Sequence, residues 1–403
     1  MSQVRLKYVV RINPTDLPET TDREYEFRYL DIGAVGRGRL IESPEVMTFG
    51  RAPSRARRVV LDGDTILATV RTYLRAVWPV QNCGADLVVS TGFAVLRPTA
   101  GIDPDFLGWV AQSDCVIEEV VARSVGVSYP AINASEVGDV YIPLPPLTQQ
   151  QRIVDHLDRE TARIDALVAT KRRLVDLLME RDFVLLSELL VPSACPFTRL
   201  RFLATIQSGL TVDAARGRSD DDVTRPYLRV ANVQAGWLAL EELTSITVPR
   251  ALANRTSLKR GDVLMTEGGD LDKLGRGTMW EDAVPGCLHQ NHVFAVRPTA
   301  GHLDGAYLAL LTRTAHARAY FEGTGVRTTN LASTNSSKIL DLPVPTLGLS
   351  EQQRLVAAYE ERARAGSAVK SIVQKQIDLL RERRQALITA AISGESEIPE
   401  VAA

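Results

Sequence analysis

No stretch of this 403-residue sequence approaches the roughly 18 apolar residues of a membrane span. The opening residues, MSQVRLKYVVRINP, hold no apolar core of signal-peptide length. A cytoplasmic protein with no membrane association is therefore expected. Cysteine is scarce: Cys83, Cys115, Cys195 and Cys287 are scattered and form no C-x-x-C pair. They read as reduced, mostly structural residues rather than a disulfide framework. Catalytic signatures are missing as well. There is no G-x-x-x-x-G-K-[ST] phosphate loop and no G-x-S-x-G elbow. There is no Asn-Pro-Pro-aromatic tetrapeptide of an amino-methyltransferase, since Asn13-Pro14 continues with Thr15. His289 and His292 lie three apart without a cysteine or carboxylate cluster, so they read as turn or surface histidines and no metal ligand is assigned. Gly36-Arg37-Gly38 reads as a turn. Asp62 and Asp64 flank Gly63, and the corresponding Gly261-Asp262 keeps one carboxylate, so these too read as turn residues. No catalytic residue is expected. Net charge is −2, from 47 basic and 49 acidic residues, so any nucleic-acid surface has to be made of local patches.

What the chain does contain is a duplication. I-P-L-P-P-L-T-Q-Q-Q-R-I-V runs from Ile142 to Val154, and L-P-V-P-T-L-G-L-S-E-Q-Q-R-L-V from Leu342 to Val356. Each is a proline-punctuated strand end and a turn, then Gln-Gln-Arg opening a helix. The match extends in order through R-L-K-Y-V at Arg5 and R-L-R-F-L at Arg199, then Y-L-D-I-G-A-V at Tyr29 and Y-L-R-V-A-N-V at Tyr227. It continues through G-D-T-I-L at Gly63 and G-D-V-L-M at Gly261, R-P-T-A-G at Arg97 and Arg297, and D-L-L-x-E-R at Asp176 and Asp378. Offsets run from 194 (Arg5 to Arg199) to 202 (Asp176 to Asp378), so the halves are collinear with few insertions. A repeat of this period is a domain-scale duplication. Hydrophobic residues at 45% and charged residues at 24% suit a globular protein of two to three domains.

The first part of each half reads as mixed β and α. Val59-Val60-Leu61, Thr65-Ile66-Leu67 and Phe93-Ala94-Val95-Leu96 suit strands, and Asp105–Gln112 and Gly305–Thr314 have helical spacing. The second part is a long helix, free of Gly and Pro from Gln150 to about Leu190. Position a of a heptad takes Leu157, Ile164, Lys171, Leu178 and Leu185; position d takes Ile153, Glu160, Leu167, Leu174 and Arg181. In the second helix the seam is Tyr359, Gly366, Val373, Leu380 and Leu387 with Leu355, Arg362, Val369, Gln376, Arg383 and Ala390. Helices in corresponding positions favour pairing with each other. The first runs directly into the second globular region, whose end starts the second helix, and domain termini usually lie close together. The pair is therefore expected to be antiparallel, with a pseudo-two-fold internal repeat. The expected fold class is α+β: recognition-type regions over 1–148 and 193–347, coiled-coil helices over 149–192 and 348–394, and a flexible tail over 395–403.

Arginine clusters recur at matching places. The first holds Arg51, Arg55, Arg57 and Arg58, then Arg71 and Arg75 near Tyr73 and Trp78. The second holds Arg250, Arg255, Lys259 and Arg260, then Lys273 and Arg276 near Trp280. Arginine and lysine neutralise phosphates. Gln290 and Asn291 can pair bidentately with adenine. The loops after the two Gly-Asp turns differ, Thr69–Trp78 against Glu267–Trp280, as two readers of different ligands would.

The whole chain resembles the specificity subunit of type I restriction-modification enzymes. The carriers are the two Gln-Gln-Arg segments quoted above, the ending I-D-L-L-R-E-R-R-Q-A-L-I-T-A-A-I-S-G from Ile377 to Gly394, and the pieces G-D-V-L-M-T-E-G-G at Gly261 and H-Q-N-H-V-F-A-V-R-P at His289. The first half departs from the pattern, since its loop after Gly63-Asp64 lacks the double glycine. The resemblance implies two target recognition domains reading the halves of an interrupted, asymmetric site in double-stranded DNA. It also implies docking of two methyltransferase subunits and of restriction subunits, with S-adenosylmethionine, ATP and Mg2+ used by those partners and no cofactor bound by this chain. Gln151, Arg152, Ile153, Leu157, Ile164, Leu167, Leu174 and Leu178 of the first helix would form the coiled-coil and docking surface. Gln353, Arg354, Leu355, Tyr359, Val373, Leu380 and Leu387 would do so in the second. Two other readings stand beside it: a single-chain enzyme that joins recognition to modification, and a coiled-coil scaffold with no DNA role.

Overall fold

The computed structural model describes residues 2–211, 219–234, 236–269, 274–327 and 332–396. The chain divides into two compact units, residues 1–172 with 375–403, and residues 173–374. The division falls inside the long helices, not at their ends.

Among the described residues the α-helices are α1 (Pro104–Gln112), α2 (Asp114–Arg123), α3 (Ala134–Gly138), α4 (Leu147–Leu190), α5 (Arg250–Thr256), α6 (Gly305–Leu311), α7 (Ala315–Thr324), α8 (Ser336–Leu340) and α9 (Leu349–Ser393). The first unit contains α1 to α3, the early part of α4 and the late part of α9. The second contains α5 to α8, the late part of α4 and the early part of α9.

In the first unit a four-stranded antiparallel sheet has the order Val10–Ile12, Phe93–Pro98, Thr65–Ala68, Val77–Pro79. A second sheet has the order Glu45–Thr48, Glu26–Leu30, Leu87–Ser90, Ala56–Val59, with its central pair parallel. In the second unit the corresponding four-stranded sheet is Ala204–Ser208, Val293–Pro298, Val263–Thr266, Gly277–Met279. Its other sheet is Thr244–Pro249, Asp222–Leu228, Leu288–His289, again with one parallel pair. The edge strand Ala56–Val59 has no strand counterpart among the described residues; the chain forms helix α5 in that region instead. In each unit a short antiparallel pair ties the start of the half to the strand before its long helix: Gln3–Arg5 with Tyr141–Pro143, and Phe197–Arg199 with Pro343–Pro345. The prolines that close these strands precede the helix starts, where a missing N–H costs nothing.

Local signals set the element ends. Asp103 caps α1, its carboxylate accepting from the Asp105 and Phe106 amides at 3.0 Å each, with Pro104 as first helical residue. Asp304 caps α6 in the same way, accepting from the Tyr307 amide at 2.9 Å. Helix α1 then buries Phe106, Leu107 and Val110 against Leu6, Val10 and Leu67, and α6 buries Tyr307, Leu308 and Leu311 against Leu200, Val263 and Met265.

Each core also takes side chains from both long helices. Ile153 and Leu157 of α4 meet Ile388, Ala391 and Ile392 of α9 in the first unit. Leu355 and Tyr359 of α9 meet Leu186 and Leu190 of α4 in the second. The early part of one helix thus packs beside the late part of the other in both units, which makes the pair antiparallel. The α+β class with two similar mixed regions and a long helix pair is as the sequence predicts.

Candidate nucleic-acid interface

In each unit the loop leaving the central strand pairs with the segment that follows the second short helix. In the first unit Val70 bridges Ala131, the Arg71 amide donates to the Pro130 carbonyl (2.8 Å), the Ile132 amide donates to the Thr69 carbonyl (2.9 Å), and the Thr72 hydroxyl donates to Ser124 (2.8 Å). Arg71 and Arg75 both adopt φ +54°, a left-handed conformation that non-glycine residues seldom take. The Arg71 guanidinium stacks 4.9 Å over the Tyr129 ring. Tyr73, Leu74, Val125, Val127 and Tyr129 are all exposed, so the pair of loops projects aromatic, aliphatic and cationic groups together. In the second unit Gly268 and Gly269 pair with Ser333 and Ala332, and the Thr334 amide donates to the Glu267 carbonyl (2.7 Å). The backbone arrangement recurs while the side chains do not. Segment 124–131 was not singled out from sequence. Its only local mark is Gly126, at φ +118°.

Several of the nominated cations are paired with carboxylates or aromatic rings. Arg55 reaches Asp31 (2.6 Å) and Tyr29 (3.3 Å), Arg58 holds Asp16 with two contacts (2.8 and 2.6 Å), and Arg75 shares Asp114 (3.2 Å). Arg57 lies 4.6 Å over the Phe49 ring. Arg51 is exposed on a turn, with no ion pair among the described residues. In the second unit Arg250 pairs with Asp221 (3.3 Å), Arg255, Lys259 and Arg260 are exposed, and Arg276 is half-buried. Lys273 lies outside the described residues. These clusters are not all in loops: Arg57 and Arg58 sit on an edge strand, and Arg250 and Arg255 on α5. The cations of strand and helix are spaced by secondary structure that the two copies do not share.

Gln290 and Asn291 belong to a strand crossing. The Gln290 side-chain oxygen accepts from the Val230 amide (3.3 Å), and the Gln290 backbone N–H donates to the Leu228 carbonyl (2.8 Å). The Asn291 amide donates to the Leu210 carbonyl (3.0 Å). His289, expected at a turn or on the surface, is fully buried, with Nδ1 2.7 Å from the Val293 carbonyl. Burial holds its pKa below the ordinary value. His292 is exposed and pairs with Glu267.

The Gly-Asp turns hold more than turn residues. Asp64 and Asp262 are almost completely buried. Asp64 receives two hydrogen bonds from Arg97 (2.8 and 2.7 Å), and Asp262 two from Arg297 (2.7 Å each). The arginine of each R-P-T-A-G repeat is thus the partner of the aspartate of each G-D repeat. Both halves of the signal are visible in sequence, but nothing local joins them.

A model of the type I restriction modification DNA specificity domain matches residues 51–174. Over 318 residues the chain is 24% identical to the EcoKI specificity subunit of Escherichia coli K12, spanning 75% of this chain and 67% of that one. It is 21% identical over the same length to the StySPI specificity subunit of Salmonella potsdam, spanning 74% and 67%. In sequence the chain is similar to type I specificity subunits. The fold agrees. A chain from a structure concerned with complex assembly and conformational transition of the type I R-M system superposes with a TM-score of 0.72 at 24% identity, covering 98% of both chains. The HsdS subunit from Thermoanaerobacter tengcongensis superposes with a TM-score of 0.50 at 23% identity, covering 98% and 97%.

Among the described residues no group of three His, Cys, Asp or Glu side chains could hold a metal ion, and no helix is long and apolar enough to cross a membrane. At the head of each long helix the first glutamine of Gln-Gln-Arg is buried. The Gln150 carbonyl accepts from the Asp103 amide (2.8 Å) while its amide donates to the Pro145 carbonyl (2.8 Å); Gln352 does the same with Asp304 (2.9 Å) and Leu347 (2.9 Å). Gln151, Arg152, Gln353 and Arg354 face outward.

The heptad is right at a and one residue off at d. Ile153, Leu157, Ile164, Leu355, Tyr359 and Val373 are buried, and Leu178, Leu380 and Leu387 half-buried. Leu167 and Leu174, expected in the seam, are 46% and 43% exposed, whereas Thr161 and Val168 are buried. In α9 Arg362, Val369, Gln376 and Arg383 are exposed while Ile377 is buried. The d position was anchored on Ile153 and Leu355, which the globular parts bury at the helix heads. Past that point the helices meet through the next residue.

Proposed function

We propose that this chain is the DNA-sequence-specificity and scaffold subunit of a type I restriction-modification complex. In this reading each unit recognises one half of an interrupted, asymmetric site in double-stranded DNA. The observation that carries it is the loop pair: the same backbone pairing occurs beside the Gly-Asp strand of both units, presenting Arg71, Tyr73 and Tyr129 in one, while two glycines, Gly268 and Gly269, stand in the other. Equal frames with unequal side chains are what two different half-sites require. Cations with no ion pair among the described residues, such as Arg51, Arg255, Lys259 and Arg260, supply phosphate contacts, and the loops supply base contacts.

Docking of partners is supported by the helices. Leu174, Leu177 and Val184 of α4 and Val369 and Ile372 of α9 form exposed aliphatic stripes in the second unit, suited to helices of methyltransferase subunits. Restriction subunits would join through those methyltransferases. S-adenosylmethionine, ATP and Mg2+ are used by the partners, the chain itself being non-catalytic and cytoplasmic. Sequencing the methylome of the host with and without this gene tests the reading. One bipartite asymmetric motif should lose methylation when the gene is deleted. Robust methylation of DNA by the purified chain with S-adenosylmethionine alone would favour the single-chain enzyme, and a partner complex that binds no DNA would favour the plain scaffold.

A further inference from the structure

An open cleft of about 450 Å³ lies in the first unit between loop 36–39 and the two long helices. Its lining is dominated by Arg37, Arg39, Arg172, Arg381 and Arg384, with Asp165 as the one carboxylate. Arg37 donates to the Gln112 carbonyl (2.9 Å from Nε) and lies 2.8 Å from Asp114, which Arg75 also reaches at 3.2 Å. Arg384 pairs with Asp165 (3.2 Å) and stacks 5.7 Å over the Trp109 ring, and Arg381 pairs with Asp378 (3.3 Å). Arg39 and Arg172 are exposed, and their side chains make no hydrogen bond or ion pair among the described residues. Six arginines (37, 39, 75, 172, 381, 384) therefore face three carboxylates (Asp114, Asp165, Asp378), an excess of three positive charges. Burial, and then the charges of Arg75 and Arg384, pull the Arg37 pKa down against the pull of Asp114. Cations gathered this closely are held at a cost unless an anion offsets them.

The second unit has a smaller cleft against the matching stretch of its long helix, with different walls otherwise. It measures about 210 Å³ and is lined by Arg276, Arg313 and Arg318 with Asp182. Asp182 of α4 stands where Arg384 of α9 stands in the first unit, 202 positions on, so the basic residues come from different elements in the two copies. Basic character recurs without shared letters.

We infer that the first cleft is a binding site for phosphate oxyanions, with Arg39 and Arg172 as the two cations that grip them and Arg37 and Arg384 as the fixed wall behind. Guanidinium forks match two phosphate oxygens at a time, and the cleft is open to solvent, as a polymer backbone requires. The source of the oxyanions is either DNA phosphodiesters, which rests on the DNA reading proposed above, or a free polyphosphate.

The test uses the full chain in three forms: unchanged, Arg39→Ala with Arg172→Ala, and a charge-matched control, Arg362→Ala with Arg364→Ala on α9. Binding to DNA carrying the methylated motif is measured across a salt titration, and binding of sodium tripolyphosphate by calorimetry. If DNA is the source, the cleft variant lowers the slope of log K against log salt by about 2 while its choice of sequence stays the same. Lysines at the two positions should restore most of that slope. If a free polyphosphate is the source, tripolyphosphate binds the unchanged chain at least tenfold more tightly than the cleft variant, and the DNA slope does not move. An unchanged slope together with equal tripolyphosphate binding overturns the inference, as does a control variant that loses as much as the cleft variant. Should the unchanged chain bind no DNA, the DNA reading fails, and the tripolyphosphate arm alone decides the cleft.

Discussion

The Asp262 carboxylate is buried beneath the second unit's central sheet and depends on Arg297 for its charge balance, with one further hydrogen bond from the Lys259 amide (2.8 Å). Arg297→Ala strands that charge. Removing one partner of a buried pair costs about 3–5 kcal/mol, and the lower end applies because Arg297 is partly exposed. Hydrogen exchange should show the loss confined to the second unit; Arg97→Ala should place an equal loss in the first. His289 supplies a pH-dependent counterpart. Burial lowers its pKa in the folded state below the unfolded value of 6.5, so the unfolded chain binds the extra proton. The contribution of neutral His289 is complete above about pH 6.5 and declines as pH falls through that value. Thermal unfolding at pH 7.5 and 5.5 should show a larger acid loss for the native chain than for His289→Gln. The buried thiols of Cys83 and Cys287 are each pushed up to about 12 by burial, in keeping with structural cysteines.

At the scale of the element, the two long helices of 44 and 45 residues succeed as helices on local grounds and as a pair on tertiary ones. A 3.5-residue repeat was legible from Leu157, Ile164, Tyr359 and Val373. Which neighbour completes the seam was not, because apolar residues occur at both d and e. Lys171, a polar break in the seam, is accommodated by donating to Gln376 (2.7 Å), and Asp182 accepts from the Tyr359 hydroxyl (3.2 Å). The observed seam separates two substitutions that the sequence treats alike. Ile164→Ala should lower stability by about 2–4 kcal/mol, as buried isoleucines do. Leu167→Ala should change it by no more than about 0.5 kcal/mol. Chemical denaturation followed by circular dichroism distinguishes them, and equal losses would contradict the seam.

For the molecule as a whole, the exchange of helix ends between cores matters most. Ile388 and Ile392 of α9 complete the first unit's core, while Leu186 and Leu190 of α4 complete the second's. These pairs are 202 positions apart, the offset of the duplication. A fragment of residues 1–192 therefore carries both one mixed globular region and a helix end of the kind that completes such a core. It should form a homodimer in which Leu186 and Leu190 of one copy fill the place of Ile388 and Ile392 in the other. If the proposed function holds, that dimer expressed with a methyltransferase subunit should direct methylation to an interrupted palindrome. Sedimentation and methylome mapping check the two steps, and retention of the asymmetric motif by the fragment would contradict the division of reading between the units.

The sequence by itself determined the duplication, the strand–turn–helix heads, the helical spacing of α1 and α6 and the 3.5-residue repeat through Leu157, Ile164, Tyr359 and Val373. Each of these rests on signals within a few residues: a proline and a cap, or an apolar period. Only the tertiary structure decided the rest. Asp64 meets Arg97 across 33 positions and Asp262 meets Arg297 across 35, because neighbouring strands bring them together. Segment 124–131 joins the candidate interface because its backbone bonds to 69–72, a pairing that leaves no periodic trace. Arg37, read as part of a turn, becomes one wall of a basic cleft whose other walls arrive from helices more than a hundred residues away. Short-range order follows from the conformational preferences of neighbouring residues. Charge partners and exposed faces follow from which surfaces packing covers.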